Sequence, residues 1–165
     1  MVTSVQAERL RVFWERKIRE LGRRTLYIDT SAILGDLEHG SDRFKNFFSK
    51  TIGYRYVTST YVVAETCRRL VKSNTKDKFC GPKGEREKEL SLWVLRAWLD
   101  RYNVTVICLD EDGYALARTA YIDDRRSTLC DLTDMISFTI VKGLEQGQIL
   151  SGDSHFAHLG LACLP

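Results

Sequence analysis

The sequence predicts an α/β fold built on a mainly parallel sheet, and three observations carry that expectation. Short apolar, β-favouring runs alternate with longer stretches of helical spacing along the chain, as in parallel strands joined by helical crossovers. Two of those runs end on an acid: TLYIDTSA, from Thr25 to Ala32, places Asp29 at a strand tip, and the run from Gln148 to Ser151 leads to Asp153. In an open α/β sheet the strand tips are where a ligand crevice opens. With 165 residues, 44% of them hydrophobic, the chain is long enough for one domain with a full core and cramped for two.

In order along the chain, Thr3 to Leu21 reads as an amphipathic helix, with Thr3 and Gln6 at capping-box spacing and Leu10, Phe13, Trp14, Ile18 and Leu21 forming one apolar stripe. The first strand follows, and Thr30 or Ser31 is placed to cap a helix containing Ala32 to Leu37. Asp42 to Ile52 is a short helix with Phe44, Phe47 and Phe48 facing inward, broken by Gly53. Tyr54 to Thr58 is a second strand, and Ser59 or Thr60 caps a helix through Lys72. Ser73 to Gly84 has no periodicity, is lysine-rich and holds Gly81, Pro82 and Gly84, the marks of a loop. Glu85 to Tyr102 resumes helical spacing through Leu90, Trp93, Val94 and Ala97, and Asn103 ends it. Val104 to Leu109 is a third strand, with Asp110 capping a helix to Ile122. Asp131 opens a helix running to Leu144, and Gln148 to Ser151 and Leu161 to Leu164 complete the set of strands.

Charge and cysteine usage exclude several classes of function. Cys67, Cys80, Cys108, Cys130 and Cys163 are scattered, odd in number and without C-x-x-C spacing, which argues against a disulfide framework and a structural zinc site and for a reducing cytoplasm. No apolar run approaches membrane-spanning length, and no charged start leads into a signal-like apolar region. The net charge of +3 is uneven: residues 9–24 carry seven bases against two acids, residues 72–88 six against three, and the remainder sums to −5. Acid pooled in the core domain beside basic flanks suits a protein that holds cations inside and polyanions outside, although a solvated charged face accounts for many such runs. Lys72, Lys76, Lys78, Lys83, Arg125 and Arg126 are the candidates for meeting phosphate.

Four acids stand out by position. Asp29 taken alone is a turn or capping acid, but Asp153 repeats its setting on another strand. Asp131 and Asp134, three apart, share one face at the positive end of a helix. Glu65 has two readings: a surface ion pair with Arg69 or Arg68, or an inward acid among Tyr61, Val62 and Ala64. Carboxylates gathered without counter-charge force one another to protonate, so their convergence implies a bound cation. Oxygen ligands select a hard ion, magnesium or manganese, which activates water and stabilises the leaving oxygen in phosphoryl chemistry.

These residues carry a resemblance. With Asp29 in YIDTSA, Glu65 in VVAET, Asp134 in LTDMISF and Asp153 in SGDSHF, the chain resembles PIN-domain proteins, most closely the VapC-type toxin ribonucleases of toxin–antitoxin pairs. The resemblance implies a three-layer α/β/α sandwich over residues 25–165, with residues 1–24 as a helical extension. It implies a Mg2+- or Mn2+-dependent endoribonuclease in which Asp29, Glu65, Asp134 and Asp153 are the catalytic metal ligands. Thr30, Ser31, Asp131 and Ser151 are candidates for holding those ligands in place. A homodimer and an antitoxin protein partner are implied as well. The chain departs from the family pattern in its N-terminal extension, in Asp131, where the family tends to have a small hydroxyl residue, and in the long basic loop. A haloacid-dehalogenase-like phosphatase is disfavoured because Ser31 stands where that chemistry needs a second acid. The non-enzymatic alternative is an inactive PIN-like RNA-binding or scaffolding module.

Overall fold

The computed structural model describes residues 24–37, 42–51, 53–74, 82–123, 130–144 and 147–164. The expected N-terminal helix, and with it the domain boundary after residue 24, lies outside them.

Five strands form one sheet, all parallel, in the order β3-β2-β1-β4-β5. They are β1 (Thr25–Ile28), β2 (Arg55–Ser59), β3 (Thr105–Ile107), β4 (Gln148–Leu150) and β5 (Ala162–Leu164). Among the described residues the helices are α1 (Thr30–Leu37), α2 (Asp42–Lys50), α3 (Thr60–Asn74), α4 (Pro82–Arg101), α5 (Glu111–Asp123), α6 (Leu132–Gly143) and α7 (His155–His158). Register runs Thr25 to Arg55 and Tyr27 to Ile149 across β1, so its C-terminal tip lies beside that of β4. The chain leaves β1 toward β2 on one side and later returns to β4 on the other, which makes the gap between the β1 and β4 tips the topological switch point of the sheet.

Burial follows from that position. Every residue of β1 is buried, and Leu26, Tyr27 and Ile28 expose nothing, because helices cover both faces in a three-layer α/β/α sandwich. The edge strands β3 and β5 are mostly open to solvent. The Tyr27 hydroxyl donates to Ser59 Oγ at 3.0 Å and lies 3.0 Å from Ser137 Oγ, tying β1 to the end of β2 and to α6. Burial pushes its pKa far up, so it remains a neutral donor.

Three local expectations need correction. The first helix starts at Thr30, and the Asp29 carbonyl accepts from the N–H groups of Ala32 and Ile33; Asp29, not Thr30 or Ser31, therefore holds the cap position. The stretch Ser73 to Gly84 is helical at both ends: α3 extends through Asn74 and α4 begins at Pro82. Proline opens a helix readily because its missing N–H would be unpaired in the first turn anyway. On α4 the buried side is Ser91, Leu95 and Trp98, while Leu90 and Trp93 are 54% and 68% exposed. Two stripes compete on that helix, and the small polar Ser91 disguised the one that packs. Other signals held: Ser59 Oγ accepts from Val62 N–H at 3.2 Å, Asp110 Oδ1 from Gly113 N–H at 3.0 Å, and Asn103 turns the chain after α4 at φ 49°. Phe44 and Phe48 are buried as expected, with Phe47 packed half-buried against the same core.

A candidate metal and nucleic-acid cleavage site at the sheet switch point

The centre of the site is Asp29, which is 95% buried where β1 meets α1. Its N–H still continues the ladder to the Leu150 carbonyl at 3.1 Å, so the tips of β1 and β4 are locked together. Two serines hold the carboxylate. Ser31 Oγ and Ser151 Oγ donate to the same oxygen, Asp29 Oδ2, at 2.9 and 3.0 Å, joined by Ser31 N–H at 3.3 Å. Each serine in turn accepts a backbone N–H from the segment after β4, Ser31 from Gly152 at 2.9 Å and Ser151 from Asp153 at 3.0 Å. Both hydroxyl protons are thus spent on Asp29, and the 3.0 Å between the two oxygens reflects their common acceptor. Burial nevertheless raises the Asp29 pKa, since these hydrogen bonds favour the anion by less than its lost hydration costs.

Asp134 enters from α6. Asp131 caps that helix, accepting from Asp134 N–H at 3.0 Å, while Asp134 Oδ2 accepts from Asp131 N–H at 2.9 Å, a reciprocal capping box. The box fixes a carboxylate in the first turn. Desolvation, then the charges of Asp131, Asp29 and Asp153, push its pKa up to about 6, against the single opposing hydrogen bond from Asp131. After burial, the larger cause, Asp29 on β1 and Asp153 in the β4–α7 turn thus act on Asp134 from two other parts of the chain.

Asp153 is held by its own turn, with Oδ1 accepting from His155 N–H at 2.8 Å and lying 3.0 Å from His155 Nδ1. Glu65, on α3, unites its two expected roles. Oε1 pairs with Arg69 at 2.6 Å, and Oε2 accepts from Thr30 Oγ1 at 3.0 Å, beside Asp29 in the chain. By hydrogen bonds and ion pairs the expected acids and supports fall into three groups: Asp29 with Ser31, Ser151 and the Asp153 turn; Thr30 with Glu65 and Arg69; and Asp131 with Asp134. Of the basic candidates, Lys72 is exposed near the end of α3 and Lys83 lies in the first turn of α4. Lys76, Lys78, Arg125 and Arg126 fall outside the described residues.

Sequence reasoning passed over three nearby groups. Cys163 on β5 has its thiol pushed up by burial and then by the charges of Asp153 and Asp29. Cys130 and His155 each bring a ligand-type atom close to the Asp134 carboxylate. The spacing of Cys130 and Asp134 is local, but the approach of His155 and Cys163 to this region is set by tertiary packing.

A fold of five parallel strands in the order 3-2-1-4-5 has counterparts among solved structures. The fold is the PIN fold of VapC-type proteins. VapC20 of Mycobacterium tuberculosis, described as a sarcin-ricin-loop-cleaving toxin, matches with a TM-score of 0.59 at 19% identity, over 83% of this chain and 96% of its own. VapBC2 of Rickettsia felis, solved bound to a DNA fragment from its promoter, matches with a TM-score of 0.60 at 15% identity, over 85% and 97%. FitAcB of Neisseria gonorrhoeae matches with a TM-score of 0.59 at 16% identity, over 85% and 96%. No family model and no curated protein matches the sequence, so the likeness to these PIN structures is one of fold. Among the described residues, no helix is long and apolar enough to cross a membrane.

Proposed function

We propose that the protein is a metal-dependent endoribonuclease, the toxin of a toxin–antitoxin pair acting in the cytoplasm. The observation that carries this reading is the placement of acids from β1, α6 and the β4–α7 turn around the sheet switch point, where burial and then the charges of Asp131, Asp29 and Asp153 raise the Asp134 pKa. An oxygen-only donor set with excess negative charge fits a hard divalent cation, and Asp29, Glu65, Asp134 and Asp153 are the residues that would hold magnesium or manganese. The chemistry such an ion supplies is activation of water and neutralisation of charge on the scissile phosphate.

The chain's own groups do the positioning. Ser31 and Ser151 fix Asp29, Thr30 and Arg69 fix Glu65, the Asp131 cap fixes Asp134, and the turn into α7 fixes Asp153. Lys72 and Lys83, with the other bases of that region, supply phosphate contacts outside the acid cluster. A homodimer and an antitoxin belong to the same proposal; exposed Leu90, Leu92 and Trp93 on α4 offer apolar surface for a protein partner.

The inactive-module reading draws on one observation, the Glu65–Arg69 ion pair, which already balances one of the acids without a metal ion. One experiment decides between them. Purified protein is given RNA with Mg2+, Mn2+ or chelator, and the cleaved ends are sequenced. Cleavage that requires the metal and disappears in Asp134→Asn supports the nuclease; RNA binding without cleavage under every metal condition establishes the module, and chelator-resistant cleavage overturns the mechanism.

A further inference from the structure

We propose that Cys130, Asp134 and His155 form a second cation site, selective for a thiophilic ion such as Zn2+ and sharing Asp134 with the acid cluster. One ligand atom from each of the three residues lies within 4.8 Å of the other two. Cys130 is buried immediately before the α6 cap, Asp134 sits in the first turn, and His155 opens α7. His155 Nδ1 is sealed from water and, although 3.0 Å from Asp153 Oδ1, makes no aligned hydrogen bond. Its ring is thus near a carboxylate without being satisfied by it.

The donor types separate this site from the proposed nuclease site. Sulfur and imidazole bind zinc well and magnesium poorly, whereas the Asp29 cluster offers only oxygen. Tetrahedral bonds of zinc to sulfur, nitrogen and oxygen put ligand atoms about 3.3–3.6 Å apart, so no pair needs to close by more than about 1.5 Å. Three protein ligands leave the fourth position to water. As the Zn–S bond forms, the Cys130 thiol proton leaves to solvent. C-x-x-C spacing is absent because the ligands come from two elements separated by β4. The consequence rests on the nuclease reading: zinc that engages Asp134 withdraws it from the hard-ion cluster, so zinc inhibits cleavage.

Cobalt(II) is the probe, because thiolate ligation gives it a charge-transfer absorption that oxygen ligation does not. Added to the metal-free protein, Co2+ should produce that band at one equivalent, and Zn2+ should displace it. Cys130→Ala should abolish the band and weaken binding by at least about a hundredfold, whereas Cys163→Ala and Cys67→Ala should keep it. Cys130→Ser, closer in size, covers the case in which the alanine variant does not fold, with circular dichroism as the check. In cleavage assays Cys130→Ala should retain turnover and need at least about tenfold more zinc for inhibition. No thiolate band in the wild type, a band indifferent to Cys130, or equal zinc sensitivity overturns the inference. An intact, Cys130-dependent band in a protein that cleaves no RNA supports the site and removes the nuclease reading; cleavage without any band does the reverse.

Discussion

Asp29 and Asp36 stand at opposite ends of the same helix, both at least 92% buried, yet their surroundings have nothing in common. Asp29 at the N-terminal end accepts from two serine hydroxyls and faces other acids. Asp36, in the last turn, accepts from Trp98 Nε1 at 2.8 Å and Tyr102 OH at 3.1 Å through a single oxygen, while its other oxygen has no hydrogen-bond partner. Around it pack Phe48, Trp98 and Tyr102, with Phe48 stacked on Tyr102 at 4.2 Å between centroids. The next residue back is equally constrained, for a Cβ on Gly35 would lie 2.3 Å from the Phe44 ring. One carboxylate lies among hydroxyl and N–H donors and acts on the charge of Asp134; the other is a strut between helices α1 and α4. Burial alone therefore does not tell the two acids apart, whereas nearby like charge does, and only Asp29 belongs to the proposed metal site.

The largest effect should separate the two on activity. Asp29→Asn keeps the shape and the serine contacts but removes a charge, and should lower metal-dependent RNA cleavage at least about a hundredfold while leaving the melting temperature unchanged or raised. Asp36→Ala should do the opposite. It strands the Trp98 and Tyr102 donors and should cost about 1–3 kcal/mol in urea unfolding, with turnover per folded molecule preserved. If Asp36→Ala loses cleavage without losing stability, the two acids are not functionally distinct.

The pH dependence of metal-free stability sharpens the contrast. Asp134 titrates near 6 when folded, against its ordinary 3.8, so between those values the folded protein holds more protons than the unfolded one. Stability should therefore decline as pH rises from about 4 through about 6, and the decline should be shallower in Asp134→Asn or with Mg2+ present. Thermal melts across that range measure it; a flat profile would show that the acids do not repel as their placement requires.

The smallest effect concerns the cap. Asp131→Ala removes one half of the α6 capping box and should cost about 1 kcal/mol, with the folded protein still cleaving RNA. A stable but inactive Asp131→Ala, with Asp134→Asn active, would reverse the roles of the two acids within the box.

Much of this architecture was legible in the chain because it depends on local chemistry. β-favouring runs ending at Asp29 and ahead of Asp153, Ser59 and Asp110 as caps, and the three-residue spacing of Asp131 and Asp134 are each written within a few residues. Asp29 and Asp153 could be paired because a parallel sheet delivers every strand end to one edge, while Glu65 and the choice of Asp134 over Asp131 rested on the resemblance to PIN-domain proteins. Tertiary structure decided what local pattern leaves degenerate. Which stripe of α4 turns inward depended on α3, since helical spacing fits both Leu90–Trp93 and Ser91–Leu95–Trp98. The strut role of Asp36 needed Trp98 and Tyr102, more than sixty residues away. Bringing His155 to Cys130 and Asp134 likewise needed tertiary packing, because contacts between separate elements leave no trace in the spacing of either.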